Sequence, residues 1–119
     1  MTLLIGAVAG AVGALCRYLV SGWVHRIIPS DFPRGTLTVN LTGSFLLGLV
    51  AGTHGLDTTA NVALVGFLGG YTTFSTWMIE TVRLGFPIMR STRAIANLLL
   101  TLIGGIALAG AGFGLTNWK

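Results

Sequence analysis

The chain has 119 residues, 53% of them hydrophobic and only 8% charged, with 18 glycines and a formal net charge of +4. An ordinary soluble domain carries about a quarter charged residues, and a disordered tail combines low hydrophobicity with high net charge, so this composition excludes both. The seven cations are thinly spread with no basic run, which excludes a nucleic-acid surface, and the length fits one compact unit.

The composition and the pattern of apolar runs predict an all-α membrane protein: a single membrane domain over residues 1–119, with four transmembrane helices. The first span, 3–24, is apolar apart from Arg17 and Ser21 and makes roughly 33 Å of helix at 1.5 Å per residue, enough to cross a bilayer. Nothing basic precedes Arg17, so the stretch reads as a retained membrane helix and not as a secretory signal. The single Cys16 inside it has no partner for an intrachain disulfide and reads as a small packing side chain. Residues 25–35 hold Pro29, Asp31, Pro33 and two arginines, a turn-rich polar connector.

The second span is 36–52, followed by a short polar connector over 54–61. The third, 62–84, passes through Gly66, Gly69 and Gly70 into Tyr71-Thr72-Thr73-Phe74-Ser75-Thr76, where adjacent glycines and hydroxyl residues weaken a continuous helix. A break at its centre is the simplest reading. After Pro87, Arg90 and Arg93, the fourth span occupies 94–118. Four spans put both termini and the second connector on one side. Arg26, Arg34, Arg90 and Arg93, with Arg83 at its helix end, lie on the other, against Lys119 alone. The positive-inside rule then places both termini outside, in one fixed orientation.

Residues four apart share a helix face, and two stripes follow that spacing: Asn40, Ser44, Gly48 and Gly52 in the second span, and Asn97, Thr101, Gly105 and Ala109 in the fourth. Small residues let membrane helices approach closely, and amides or hydroxyls bond across them. The glycines read as packing positions, as do those in 6–10 and 110–114. An amide in hydrocarbon is costly unless paired, and intramembrane polar groups tend to line pathways, so Asn40 is a candidate for function. Asn97 is open to a second reading, as a cap for backbone groups near a helix entrance.

A break at membrane depth is tolerated only where protein or a water-filled cavity covers it. Freed carbonyls can then coordinate a cation such as sodium, while the restarted helix offers amide hydrogens to an anion. Phe74 and Trp77 lie three apart on one face beyond the break, and electropositive ring edges can replace part of an anion's hydration shell. Aromatic core packing is the alternative use of such a pair. Arg17 and Glu80 are the two charges well inside spans; both sit toward the arginine-rich side and are expected to pair. No nucleophile–base pair, phosphate loop or zinc spacing appears in the sequence, so the chain reads as no enzyme.

Three segments carry a resemblance to a known family: Gly13-Ala14-Leu15-Cys16-Arg17-Tyr18, Gly35-Thr36-Leu37-Thr38-Val39-Asn40-Leu41-Thr42-Gly43-Ser44-Phe45, and Gly66-Phe67-Leu68-Gly69-Gly70-Tyr71-Thr72-Thr73-Phe74-Ser75-Thr76. In these the chain resembles the CrcB, or Fluc, fluoride channels, a likeness that runs through essentially its whole length. The resemblance implies a four-span protein of the cell membrane that pairs antiparallel, one subunit inverted against the other, and lets fluoride leak out passively. It further implies a structural, untransported sodium ion held by the carbonyls of Gly69 and Thr72 from both subunits. It places Asn40, Thr73, Phe74 and Ser75 on the fluoride path. Trp77 departs from the family pattern by standing where a second phenylalanine is usual.

That departure and the arginine bias together favour a heterodimer with a distinct inverted partner over a homodimer. Two rival functions are a non-conducting partner subunit, for which Trp77 is the suggestive feature, and a proton-coupled exporter of cationic compounds, for which Glu80 is the one carboxylate in place.

Overall fold

The computed structural model describes residues 1–53, 58–86 and 91–118. The start of the 54–61 connector, Pro87, Arg90 and Lys119 lie outside the described residues. The described residues form five helices: α1 (Thr2–Ile27), α2 (Arg34–Gly52), α3 (Thr59–Tyr71), α4 (Ser75–Gly85) and α5 (Thr92–Thr116). No strand occurs among the described residues. Among the described residues four stretches are long and apolar enough to cross a membrane: α1, α2, Thr59–Gly85 across α3 and α4, and α5.

Prolines set the first connection. Ile28, at φ −125° and ψ 75°, has left the helical region, as the residue before Pro29 must. Pro33 stands immediately before α2, where its missing N–H has no helical partner to lose. At the start of α3 the Thr58 hydroxyl accepts the Asn61 N–H at 3.2 Å, and at the start of α4 the Thr73 hydroxyl accepts the Thr76 N–H at 3.3 Å.

Packing is dominated by two seams of small residues. Along α1 and α3, a Cβ on Gly13 would strike the Phe67 carbonyl, and one on Gly70 would strike the Gly10 carbonyl. Along α2 and α5, Gly48 lies against the Ala109 carbonyl, Gly112 against that of Phe45, and Gly105 beside the Ser44 hydroxyl. The two stripes therefore face each other. Within this chain Gly112 packs against α2, while Gly110 and Gly114 have no neighbour within 4 Å where a Cβ would be.

Burial is inverted relative to a soluble protein. The buried hydrophobic side chains are Val24, Val39, Leu68, Tyr71 and Trp77, and the buried polar ones Thr36, Asn40, Asn97 and Thr101, while most leucines and isoleucines are exposed. In hydrocarbon the exposed leucines meet their own kind of solvent, and the polar groups must find partners within the fold.

Candidate functional site

The geometry is organised by the three residues between α3 and α4. The Thr72 N–H and hydroxyl both donate to the Leu68 carbonyl at 2.9 Å, finishing α3. Thr73 then leaves the helical ladder: its N–H donates to Asn40 Oδ1 at 2.8 Å and its carbonyl accepts from Asn40 Nδ2 at 2.9 Å. One side-chain amide on α2 thus satisfies both main-chain groups of a residue 33 positions away. A primary amide has two N–H donors, so Asn40, 7% exposed, keeps one beyond the bond to Thr73.

Two carbonyls are released by the same geometry. In a continuous helix the Gly69 carbonyl would accept from the Thr73 N–H and the Thr72 carbonyl from the Thr76 N–H. Asn40 takes the first of these donors and the Thr73 hydroxyl the second. Gly69 is exposed, with nothing within 4 Å of the position a Cβ would take, so its backbone is open to approach from outside the chain. Oxygen-only ligands of this kind suit a hard cation.

Two cavities meet at Thr73. The larger, about 750 Å³, is lined by the cations Arg17, Arg34 and Arg83 and by the carboxylates Asp31 and Glu80, with His25, Thr36, Thr73 and Thr76 among its walls. The smaller, a groove of about 380 Å³, is lined by Asn40, Ser44, Thr72, Thr73, Phe74, Trp77 and Thr101 among others. Hydroxyls continue through the junction. Arg17 Nη1 donates to Thr76 Oγ1 at 3.5 Å, and Thr73 Oγ1 donates to the same oxygen at 3.2 Å. In the groove wall the Thr101 hydroxyl is buried without a hydrogen-bond partner among the described residues. A basic chamber, a threonine-lined junction and a groove of amide, hydroxyl and aromatic groups can pass an anion from donor to donor without a fixed cation at the narrow point.

The predicted residues fall unevenly on this site. Asn40, Thr73, Phe74 and Trp77 line the groove with Ser44, Thr72 and Thr101. Ser75 is exposed and lines neither cavity, its hydroxyl 3.5 Å from that of Thr73. The rings of Phe74 and Trp77 meet edge to face, 5.6 Å apart at 80°. Asn97 lies behind the groove wall, fully buried, with Nδ2 donating to Thr81 Oγ1 at 2.8 Å.

The expected Arg17–Glu80 ion pair is not formed. Both groups line the larger cavity, but the Thr36 hydroxyl donates to Glu80 Oε1 at 2.9 Å and Thr76 receives the Arg17 guanidinium. The neutral hydroxyls take the near positions and leave Arg17 Nε and Glu80 Oε2 buried without partners. Thr36, Thr76, Thr81 and Tyr71, whose hydroxyl is 3.1 Å from that of Thr42, were missed from sequence. Thr36 had a signal: it stands one turn before Asn40, at the head of the same stripe.

The family model described as CrcB-like protein, Camphor Resistance (CrcB) matches residues 4–113. The chain is 46% identical over 100 residues to the fluoride-specific ion channel FluC 2 of Mycobacterium tuberculosis strain H37Rv, covering 84% of this chain and 79% of the relative. It is 43% identical over 117 residues to the fluoride-specific ion channel FluC of Syntrophotalea carbinolica, covering 94% of each. It is 40% identical over 110 residues to that of Geotalea daltonii, covering 86% of this chain and 89% of the relative. With four helices able to cross a bilayer and a family match along nearly its whole length, the chain is a multi-pass membrane protein that belongs to the CrcB family.

Proposed function

We propose that this chain is a subunit of a fluoride-specific ion channel that lowers cytoplasmic fluoride by passive export. The relatives' names support the ion, and the run of donors from Arg17 through Thr76 and Thr73 to Asn40 and Thr101 supports the route. Fluoride enters cells as neutral HF in acid, dissociates, and is then trapped as an anion. An open path with the inside negative drives it out without an energy source. Fluoride is strongly hydrated, so several donors must replace its water together. The second Asn40 N–H and the Thr101 hydroxyl supply two of them, and the Thr73 hydroxyl a third when it turns from Thr76 Oγ1 to the ion, with the Phe74 ring beside the groove.

The conducting unit is an inverted dimer, with the third span interrupted over Thr72–Phe74 at its centre. The arginine bias sets both termini outside and favours a distinct partner of opposite orientation. The freed carbonyls of Gly69 and Thr72 fit a sodium ion shared between two subunits. Such an ion would supply positive charge to balance the dipoles of the carbonyls that hold it. Gly69 contributes the open backbone approach and Asn40 keeps Thr73 turned away from the ladder.

Trp77 supports one second reading, a non-conducting partner subunit, because its ring is bulkier than phenylalanine in the groove wall. Fluoride efflux from liposomes loaded with potassium fluoride, with valinomycin to balance charge, tests the proposal. Efflux supports a conducting subunit, and its absence with and without an inverted partner brings the second reading forward.

A further inference from the structure

Three hydrogen bonds form a closed ring between α4 and α5. The Trp77 indole Nε1 donates to the main-chain carbonyl of Asn97 at 3.1 Å, Asn97 Nδ2 donates to Thr81 Oγ1 at 2.8 Å, and the Thr81 hydroxyl donates to the main-chain carbonyl of Trp77 at 2.8 Å. Each member both gives and receives. Asn97 is fully buried and Trp77 is 8% exposed, so water does not compete for the indole bond, while the two bonds made by Thr81 are part-buried.

The ring sits where the fold needs a tie. Helix α4 has 11 residues and is joined to α3 through non-helical backbone. Its outer side chains Ile79 and Val82 are both 52% exposed. A helix this short is marginal by itself. Its first turn also carries the groove: Phe74, 71% exposed, touches Trp77 edge to face. Indole has a single donor, and here the Asn97 carbonyl holds it. A phenylalanine at position 77 would preserve the ring contact and lose the bond.

We propose that Trp77, Thr81 and Asn97 form a positioning unit that fixes α4 on α5 and thereby sets Phe74 in the groove, Trp77 itself giving no hydrogen bond to the passing ion. The proposal rests on the channel reading for its functional readout. It assigns positioning roles to Thr81, which lies outside both cavities, and to Asn97, whose side chain points away from the path and toward α4.

The test uses the full chain, reconstituted under whichever condition conducts, alone or with an inverted partner, in a W23F/W118F background that leaves Trp77 as the one indole. Its side chain is labelled with nitrogen-15. Thr81→Val keeps the size and removes both hydroxyl bonds, and Thr81→Ser keeps them. The expected result is that Thr81→Val shifts the indole N–H resonance and slows fluoride efflux at least about fivefold, the effect of one net hydrogen bond where two are removed, while Thr81→Ser restores both. Trp77→Phe combined with Thr81→Val should be no slower than the slower single change, because the ring breaks only once. An unaltered efflux rate in Thr81→Val, with the resonance shifted, reduces the ring to a structural tie and overturns the proposal. A parent that passes no fluoride overturns the channel reading instead. In that event a resonance that Thr81→Val leaves in place separately refutes the ring, and one that moves upholds it.

Discussion

Asn40 and Thr73 are joined by two hydrogen bonds, N–H to Oδ1 at 2.8 Å and Nδ2 to carbonyl at 2.9 Å, that imitate a backbone pairing across 33 residues. The amide therefore serves the fold and the groove together. Replacing Asn40 by Ala leaves two main-chain groups unmatched inside the protein, at about 1–3 kcal/mol each. Thermal unfolding in detergent should fall clearly, with fluoride flux lost. Asn40→Asp keeps the acceptor, loses the donor and adds negative charge beside an anion path. Flux should drop more than stability, and a variant with full flux would remove Asn40 from the route.

Glycine contacts separate into two classes that one measurement distinguishes. A methyl on Gly48 or Gly70 meets backbone carbonyl on the neighbouring helix, which cannot yield as a side chain would. Gly48→Ala and Gly70→Ala should each destabilise the protein by about 1–3 kcal/mol, the range for overpacking. Gly114→Ala meets nothing within 4 Å and should be neutral or slightly stabilising, since Ala is the better helix former. Size-exclusion profiles and unfolding midpoints of the three variants read this directly.

The seams and the spans were legible in the sequence because apolar runs and four-residue spacing are local properties. The stripes of α2 and α5 pointed to packing, and Ser44 beside Gly105 and Gly48 against Ala109 bear that out. Pairings between distant segments were not legible. Arg17 and Glu80 looked like partners because charges attract, yet Thr36 and Thr76 stand closer and intercept them. Asn97 looked like a pathway amide or a cap, and the hydroxyl that binds it, Thr81, lies 16 residues away on α4. Gly110 and Gly114 shared a motif with Gly112 but point elsewhere on the helix, a difference that depends on which face meets α2.

Glu80 separates passive conduction from proton-coupled export. Glu80→Gln retains an acceptor for the Thr36 hydroxyl and removes the titratable group from the larger cavity. Fluoride efflux should stay within about threefold of the parent, as for a change in one part-exposed charge. Abolished transport together with loss of its pH dependence would favour the exporter.

The freed carbonyls of Gly69 and Thr72 make a prediction about salt. Replacing sodium by a large organic cation, at constant ionic strength, should weaken the dimer and slow flux, with recovery on returning sodium. Equal dimer stability and flux in both media would leave those carbonyls without an ion to hold.

Fluoride efflux from potassium fluoride-loaded liposomes with valinomycin, using this chain alone and then mixed with a CrcB-family chain of opposite charge bias, tests the central claim most directly. The expected result is efflux with the partner and none from the chain alone, as a fixed orientation requires. Efflux from the chain alone would keep the channel and show that it inserts both ways round. No fluoride efflux in either mixture would contradict the claim that this chain conducts.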